Sequence, residues 1–304
     1  MGTSRWDPSA WSAHVSAMAG RPTSAIFRRG MHPDLDPAKI VRRESCDSPA
    51  NPKSTPIIVA VDVTGSMGVL AEILVREKLG ILVDAIYDRK PVTDPHLLLM
   101  AVGDAWCDAA PLQVTQFEAD TILAGQLQNF FIEGGGGGNS YESYNLPWYF
   151  AATKTKCDAM IKRGKKGYLF TVGDEPPAPV LLAEHVERFL GGGLQNDLST
   201  RNLLSMVGRE WEVFHLMVEE GSYYRSLGTE VKAEWRDLLG ERAIPLADHT
   251  KLSEVIVSVI QANEGVDAKT VAGSWSGDTA MVVAKAVRSL TTTSAPSSAG
   301  VIRL

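Results

Sequence analysis

The run IIVAV at 57–61 is continuous, apolar and β-branched, the pattern of a strand covered on both faces. Behind it, VLAEILVREKLGILVDAIYD (69–88) repeats its apolar positions at helical spacing, and HLLLMAV (96–102) reads as strand again. The alternation continues. PLQVTQF (111–117) predicts a short edge strand and ADTILAGQLQNFF (119–131) a helix; YNLPWYFAATKTKCDAMIKR (144–163) predicts a longer helix with Pro147 near its first turn. GYLFTV (167–172) is the next buried strand. Helices are expected over 178–190, 198–209, 223–239 and 252–263, with strands at WEVFHLMV (211–218) and AIPLA (243–247). Strands separated by helices of this length require crossover connections. The expected fold is therefore α/β: a doubly wound, mainly parallel central sheet with helices on both faces.

Residues 56–264 carry this pattern, and the flanks differ. Across 1–55 the breakers HPDLDP and SPANPKSTP predict an irregular arm around one short helix, with Trp6, Trp11, Ile26 and Phe27 laid on another surface. RRESCDS (42–48) reads either as a solvated connector or as an arm pinned to the domain by Arg42 and Arg43. In 265–304, GDTAMVVAKAVRSL (277–290) predicts an amphipathic helix and TTTSAPSSAG (291–300) a flexible tail.

Composition narrows the function classes. With 304 residues, 44% of them hydrophobic, the chain can bury a sizeable core. A net charge of -6 argues against sequence-independent nucleic-acid binding, which needs Lys and Arg to neutralise phosphates. Cys46, Cys107 and Cys157 are far apart, odd in number and in no CxxC pair, so neither a disulfide framework nor a thiolate zinc site is expected. The start MGTSRWDPSAWSAH lacks an apolar secretory core, and no apolar stretch reaches the roughly 18–20 residues that span a bilayer. The expected location is cytoplasmic, away from membranes.

DVTGSM places Asp62, Thr64 and Ser66 at the carboxyl end of the first strand, and Asp174 stands at the same end of GYLFTV. Ligands of open parallel sheets gather there. Oxygen-only donors select a hard divalent ion, Mg²⁺ first, with Mn²⁺ and Ca²⁺ as alternatives. Two carboxylates neutralise such an ion, while the hydroxyls leave it electrophilic toward an outside carboxylate. The competing readings are a helix N-cap for the first three residues and a turn for Asp174 in GDEPP.

DVTGSM resembles the DxSxS signature of von Willebrand factor A (vWA) domains, whose metal-ion-dependent adhesion site holds Mg²⁺ and bridges to an acidic residue of a partner. The resemblance extends to EGGGGGNSYES, similar to the family's glycine-rich loop in its GGGxxPE form, and to VGDEPP, similar to its fourth-strand motif. It covers about 56–264 and is nearest in style to cytosolic bacterial or phage vWA proteins. What it implies is a metal site of Asp62, Thr64, Ser66 and Asp174 completed from the loop by Asn139 or Ser140, with Glu142 a third candidate. It implies a protein partner presenting Asp or Glu, such as a AAA+ ATPase or another assembly component.

The remaining signals are weaker. GGGGGNS lacks the GK[ST] of a phosphate-binding loop. GDAWCD (103–108) is either a plain loop or a partner contact through Trp106, and the six histidines show no metal-ligand spacing. The alternative function is a Mg²⁺-dependent hydrolase or phosphotransferase using Asp62, but Thr64 occupies the place of the second aspartate such enzymes need as general acid and base.

Overall fold

The structure is a computed structural model that describes residues 28–68 and 79–288, together with positions 7, 9, 10, 13, 16, 70, 73 and 290. Trp6, Trp11, Ile26, Phe27, most of the first half of the helix expected at 69–88, and the tail at 291–300 lie outside them. The protein is α/β. Six strands form the central sheet: β2 (Thr55–Asp62), β3 (Pro95–Val102), β4 (Leu112–Val114), β6 (Gly167–Gly173), β9 (Trp211–Val218) and β10 (Ala243–Leu246), in the order β10-β9-β6-β2-β3-β4. All neighbours run parallel except β4, which pairs antiparallel with β3 at the edge.

Every residue of β2 and β3 is buried, because helices cover both faces and leave no solvent side for polar residues to alternate onto. The strand period of two then divides β2 between two cores. Ile57, Val59 and Val61 pack with helices α1 (Leu79–Arg89) and α8 (Leu252–Asn263), through residues such as Leu82, Ile86 and Ile256. Ile58 and Ala60 pack on the opposite face with α3 (Asn145–Thr153), α5 (Ala183–Leu190), α6 (Thr200–Val207) and α7 (Ser222–Leu239). Helices α9 (Ala268–Gly273) and α10 (Gly277–Val287) join the first core through Val271, Val283 and Val287, so residues beyond 264 share the interior of the sheet domain.

Three sequence expectations need correction. The helix expected at 144–163 is two helices, α3 and α4 (Asp158–Arg163), separated by strand β5 (Thr155–Cys157). The cause is the arm. Its strand β1 (Arg43–Ser45) pairs in parallel with β5, Arg43 donates its N–H to the Lys154 carbonyl, and Lys154 Nζ donates to the carbonyls of Pro37 and Ile40, both at 2.8 Å. Helical periodicity carries no information about a strand partner more than a hundred positions away. The helix expected at 119–131 shrinks to α2 (Ile122–Leu127), and the one expected from 178 begins at Ala183, because β7 (Val180–Leu181) instead pairs antiparallel with β8 (Leu198–Ser199).

Of the two arginines expected to pin the arm, Arg43 does so. It is buried and donates to the carbonyls of Asp34 at 2.6 Å and Val114 at 3.2 Å, whereas Arg42 is exposed. Further along, Asp47 accepts from Arg163 at 2.7 Å and from Ser54 Oγ at 2.8 Å. Among the described residues, no helix is long and apolar enough to cross a membrane.

Two buried histidines give the fold a pH dependence. His96 bonds Ser45 Oγ through Nδ1 at 3.1 Å, its Nε2 is buried without a partner, and burial lowers its pKa from 6.5 to about 4. Below pH 6.5 the unfolded chain takes up a proton that the folded ring refuses, so His96 removes stability as pH falls toward 4. The loss from this residue is about 3 kcal/mol by pH 4. Urea unfolding of wild type and His96→Asn across pH 7 to 4 is expected to show the wild type losing more stability; parallel curves would refute the assignment. His215, also held neutral by burial, contributes equally to both proteins.

Candidate metal centre

In the sheet order, β2 connects onward to β3 on one side, while β6 flanks it on the other. The boundary between β2 and β6 is therefore the switch point of the sheet, the place where open α/β sheets bind their ligands. Asp62 is the last residue of β2 and Asp174 follows the last residue of β6. Both are fully buried.

A run of close oxygen contacts joins them. Asp62 Oδ1 accepts from the Thr64 amide at 2.8 Å and from Thr64 Oγ1 at 2.6 Å. Thr64 Oγ1 lies 3.2 Å from Ser66 Oγ, which donates to Asp174 Oδ1 at 2.7 Å. The other oxygen of each aspartate is held too: Tyr144 Oη donates to Asp62 Oδ2 at 2.7 Å, and the Tyr223 amide donates to Asp174 Oδ2 at 2.9 Å. Four of the residues expected at the site, Asp62, Thr64, Ser66 and Asp174, are thus brought together. The amide of Thr64 closing on Asp62 is the local turn that such sequences form unaided, and Ser66 carries the contact onward to a remote strand.

Close packing holds these atoms. A Cβ added to Gly221, which precedes α7, would fall 2.2 Å from Asp174 Oδ2, so only glycine lets the backbone come so near the carboxylate. Behind Asp62, the Tyr144 ring meets His215 edge-on at 4.9 Å, and His215 stacks on Trp235 at 3.6 Å. The Trp235 indole in turn donates to the Glu175 carbonyl at 2.8 Å.

The three loop candidates stand in different surroundings. Asn139 is half-buried with an unpartnered Nδ2, and Ser140 is exposed with its carbonyl accepting from Tyr223 Oη. Neither belongs to the run of contacts through Asp62, Thr64, Ser66 and Asp174. Glu142, in contrast, is 1% exposed beside Thr64, and Glu175, Asp104 and Asp108 are buried nearby. Asp104 and Asp108 are occupied by backbone amides: Asp108 accepts from Asp104 N and Gly136 N, and Asp104 from Trp106 N. Between them Trp106 is 56% exposed. Tyr144 and Glu175 carry no sequence signal for this role, since one lies in an apolar helical pattern and the other in a turn sequence.

The electrostatics are one-sided. Burial, then the neighbouring Asp174, raises the Asp62 carboxyl despite hydrogen bonds from Thr64 and Tyr144. Burial raises Asp174, and burial followed by Asp62 and Asp174 pushes Glu175 up to about 8. The largest shift falls on Glu142, through burial and then Asp62, Glu175, Asp104 and Asp108. No basic side chain is among these causes. A cluster of buried carboxylates and hydroxyls with an unpartnered Glu142 oxygen has the donor chemistry of a hard divalent cation.

Elsewhere at the same edge of the sheet, Glu220, Asp248 and His249 bring donor atoms within 4.8 Å of one another. Two of them pair, His249 Nδ1 lying 2.7 Å from Glu220 Oε2, while Asp248 accepts from the Thr250 amide at 2.8 Å. Histidine spacing in the sequence gave no hint of this contact, which depends on β9 and β10 being neighbours.

The class defined by these features is an α/β protein with a carboxylate-rich crevice at the switch point of a mainly parallel sheet. No protein-family model and no curated protein sequence matches the chain. Among solved structures, the chain is similar to the pilus adhesin SpaC from Lactobacillus rhamnosus GG in its open conformation, at 11% identity and a TM-score of 0.46. That alignment covers 69% of this chain and 30% of the adhesin. A second structure of the same adhesin aligns with the same identity and score over 71% of this chain and 31% of that one. The chain thus matches less than a third of the adhesin's length.

The Tyr144 hydroxyl is expected to be a fixed part of the centre. Tyr144→Phe leaves Asp62 Oδ2 without its donor, and the cost of such a loss at a buried acceptor is about 1–3 kcal/mol. Urea unfolding in the absence of divalent ions is the measurement, and a change below about 0.5 kcal/mol would show that the bond contributes nothing.

Proposed function

We propose that this chain is a protein-interaction module of the vWA type, in which a divalent cation at the switch point binds an acidic side chain of a partner protein. The observation that carries the reading is the convergence of Asp62, Thr64, Ser66 and Asp174, in which Thr64 bonds Asp62, Ser66 bonds Asp174 108 positions away, and the two hydroxyl oxygens face each other at 3.2 Å at the switch point of the sheet. The resemblance of DVTGSM, EGGGGGNSYES and VGDEPP to the vWA motifs supports the same residues.

Asp62, Thr64, Ser66 and Asp174 would hold the ion, with Mg²⁺ favoured by the all-oxygen donors and by a site small enough to leave part of the shell to water. When bound, the ion supplies a hard Lewis acid for a carboxylate. The residues of the chain do the rest. Tyr144 and the Tyr223 amide fix the two aspartates in orientation, so that Thr64 and Ser66 present their hydroxyls between them. Asp62 and Asp174 are buried while Ser66 is half-buried and Gly136, Gly137 and Gly138 are exposed, so the approach for a partner runs over the glycine loop and Ser66. Trp106 on the neighbouring loop offers an exposed aromatic surface of the kind enriched at binding hot spots. The partner would be a component of a larger assembly.

Calorimetric titration of Mg²⁺ and Mn²⁺ into wild type and Asp62→Ala tests the site. Wild type is expected to bind, and Asp62→Ala to show no heat of binding with an unchanged circular dichroism spectrum. Affinity capture in Mg²⁺ and in EDTA tests the function. Capture by Asp62→Ala in EDTA equal to that by wild type in Mg²⁺ would overturn the reading.

A further inference from the structure

Glu142 follows the glycine run and is clamped by its backbone alone. Its N–H donates to the Pro176 carbonyl and its carbonyl accepts from Ala178 N–H, each at 3.1 Å, so it bridges to the segment leaving β6. The side chain is buried, 1% exposed, and Oε2 has no hydrogen-bond partner. Its position relative to the site is fixed by Gly136, whose φ is +88°. The point where a Cβ on that glycine would stand lies 3.3 Å from Glu142 Oε1 and 3.2 Å from Thr64 Cβ, so carboxylate and threonine flank the same glycine backbone. The charged groups acting on Glu142 are Asp62, Glu175, Asp104 and Asp108, all acidic. A buried carboxyl group with an oxygen that no donor reaches, among other carboxyl groups, is costly to ionise, and a proton or a cation must offset that cost.

We propose that Glu142 is the ligand which the glycine-rich loop supplies to the cation, a third carboxylate beside Asp62 and Asp174, in the role for which the sequence resemblance left Asn139, Ser140 and Glu142 as candidates. The inference rests on the metal-centre reading above and adds a consequence for it. Three carboxylates bring one more negative charge than a divalent ion balances, so the chain retains its ion without help from a partner. An outside carboxylate then meets a less electrophilic ion. Glu142 therefore sets the balance between holding the metal and capturing an acidic partner, and Gly136 is glycine because a side chain there would stand between Glu142 and Thr64.

The test is calorimetry with Mn²⁺ and Mg²⁺ on wild type, Glu142→Gln, Ser140→Ala and Asp62→Ala, paired with thermal unfolding in EDTA and in saturating Mn²⁺. Glu142→Gln is expected to weaken Mn²⁺ binding by about tenfold or more, and Ser140→Ala to leave it unchanged. In EDTA, Glu142→Gln is expected to melt no lower than wild type, because it removes an unpaired buried acid, and to gain less from Mn²⁺. A structural role alone would shift both melting temperatures equally. Should the Gln variant not fold, Glu142→Ala is read in the same way. Wild-type affinity in the Glu142 variants, with Asp62→Ala still unable to bind, overturns this inference and leaves the site standing. Absence of binding by the wild type overturns both.

Discussion

The governing constraint is the burial of like charge. At the carboxyl ends of β2 and β6 the fold gathers Asp62, Asp174, Glu142 and Glu175, with Asp104 and Asp108 behind them, and no lysine or arginine is among the groups that shift them. Coulomb repulsion between such groups falls off slowly inside a protein, where the effective dielectric is far below that of water. Neutral donors offset part of it. Thr64, Ser66, Tyr144 and the Tyr223 amide satisfy the two aspartates, and backbone amides satisfy Asp104 and Asp108. Glu142 Oε2 is left with nothing. The interior thus gathers acids that hydrogen bonds satisfy unevenly, with Glu142 Oε2 reached by no donor.

The scaffold explains why that arrangement is tolerated. Fully buried strands such as β2 and β3, sealed on both faces by helices, give the sheet a stiff interior, and the site stands at the ends of its strands. The stack of Tyr144, His215 and Trp235 extends this rigidity to the site. Tyr144 holds Asp62 from below while Trp235 holds the backbone of Glu175, so one aromatic group positions acids at the ends of both strands. Apolar burial thus offsets electrostatic cost at a distance of one or two side chains.

Segments outside the central pattern take part in the same economy of packing. The arm inserts β1 beside β5 and buries Arg43 against the carbonyls of Asp34 and Val114, while α9 and α10 complete the face built by α1 and α8. Both lie far from the carboxylate crevice in sequence, and neither supplies a residue to the run of contacts from Asp62 to Asp174. The chemistry of the crevice belongs to the sheet and to the loops that leave it, and the flanks act on it through the rigidity of the core.

The sequence alone determined the strands and most of the helices, because a strand buried on both faces and an amphipathic helix leave unmistakable periods in a chain. It also grouped Asp62, Thr64, Ser66 and Asp174, since loops leaving the carboxyl ends of parallel strands meet at one end of the sheet. Tertiary structure decided what periodicity cannot encode. The break in the expected 144–163 helix follows from a partner strand in the arm, and the pairing of Glu220 with His249 follows from the adjacency of β9 and β10. The placement of Glu142 beside Thr64, with Asn139 and Ser140 turned elsewhere, follows from a backbone bridge to Pro177 and from the bare backbone of Gly136. Local patterns record how each segment meets water and core, whereas a site is a matter of distances between segments, and only packing fixes those.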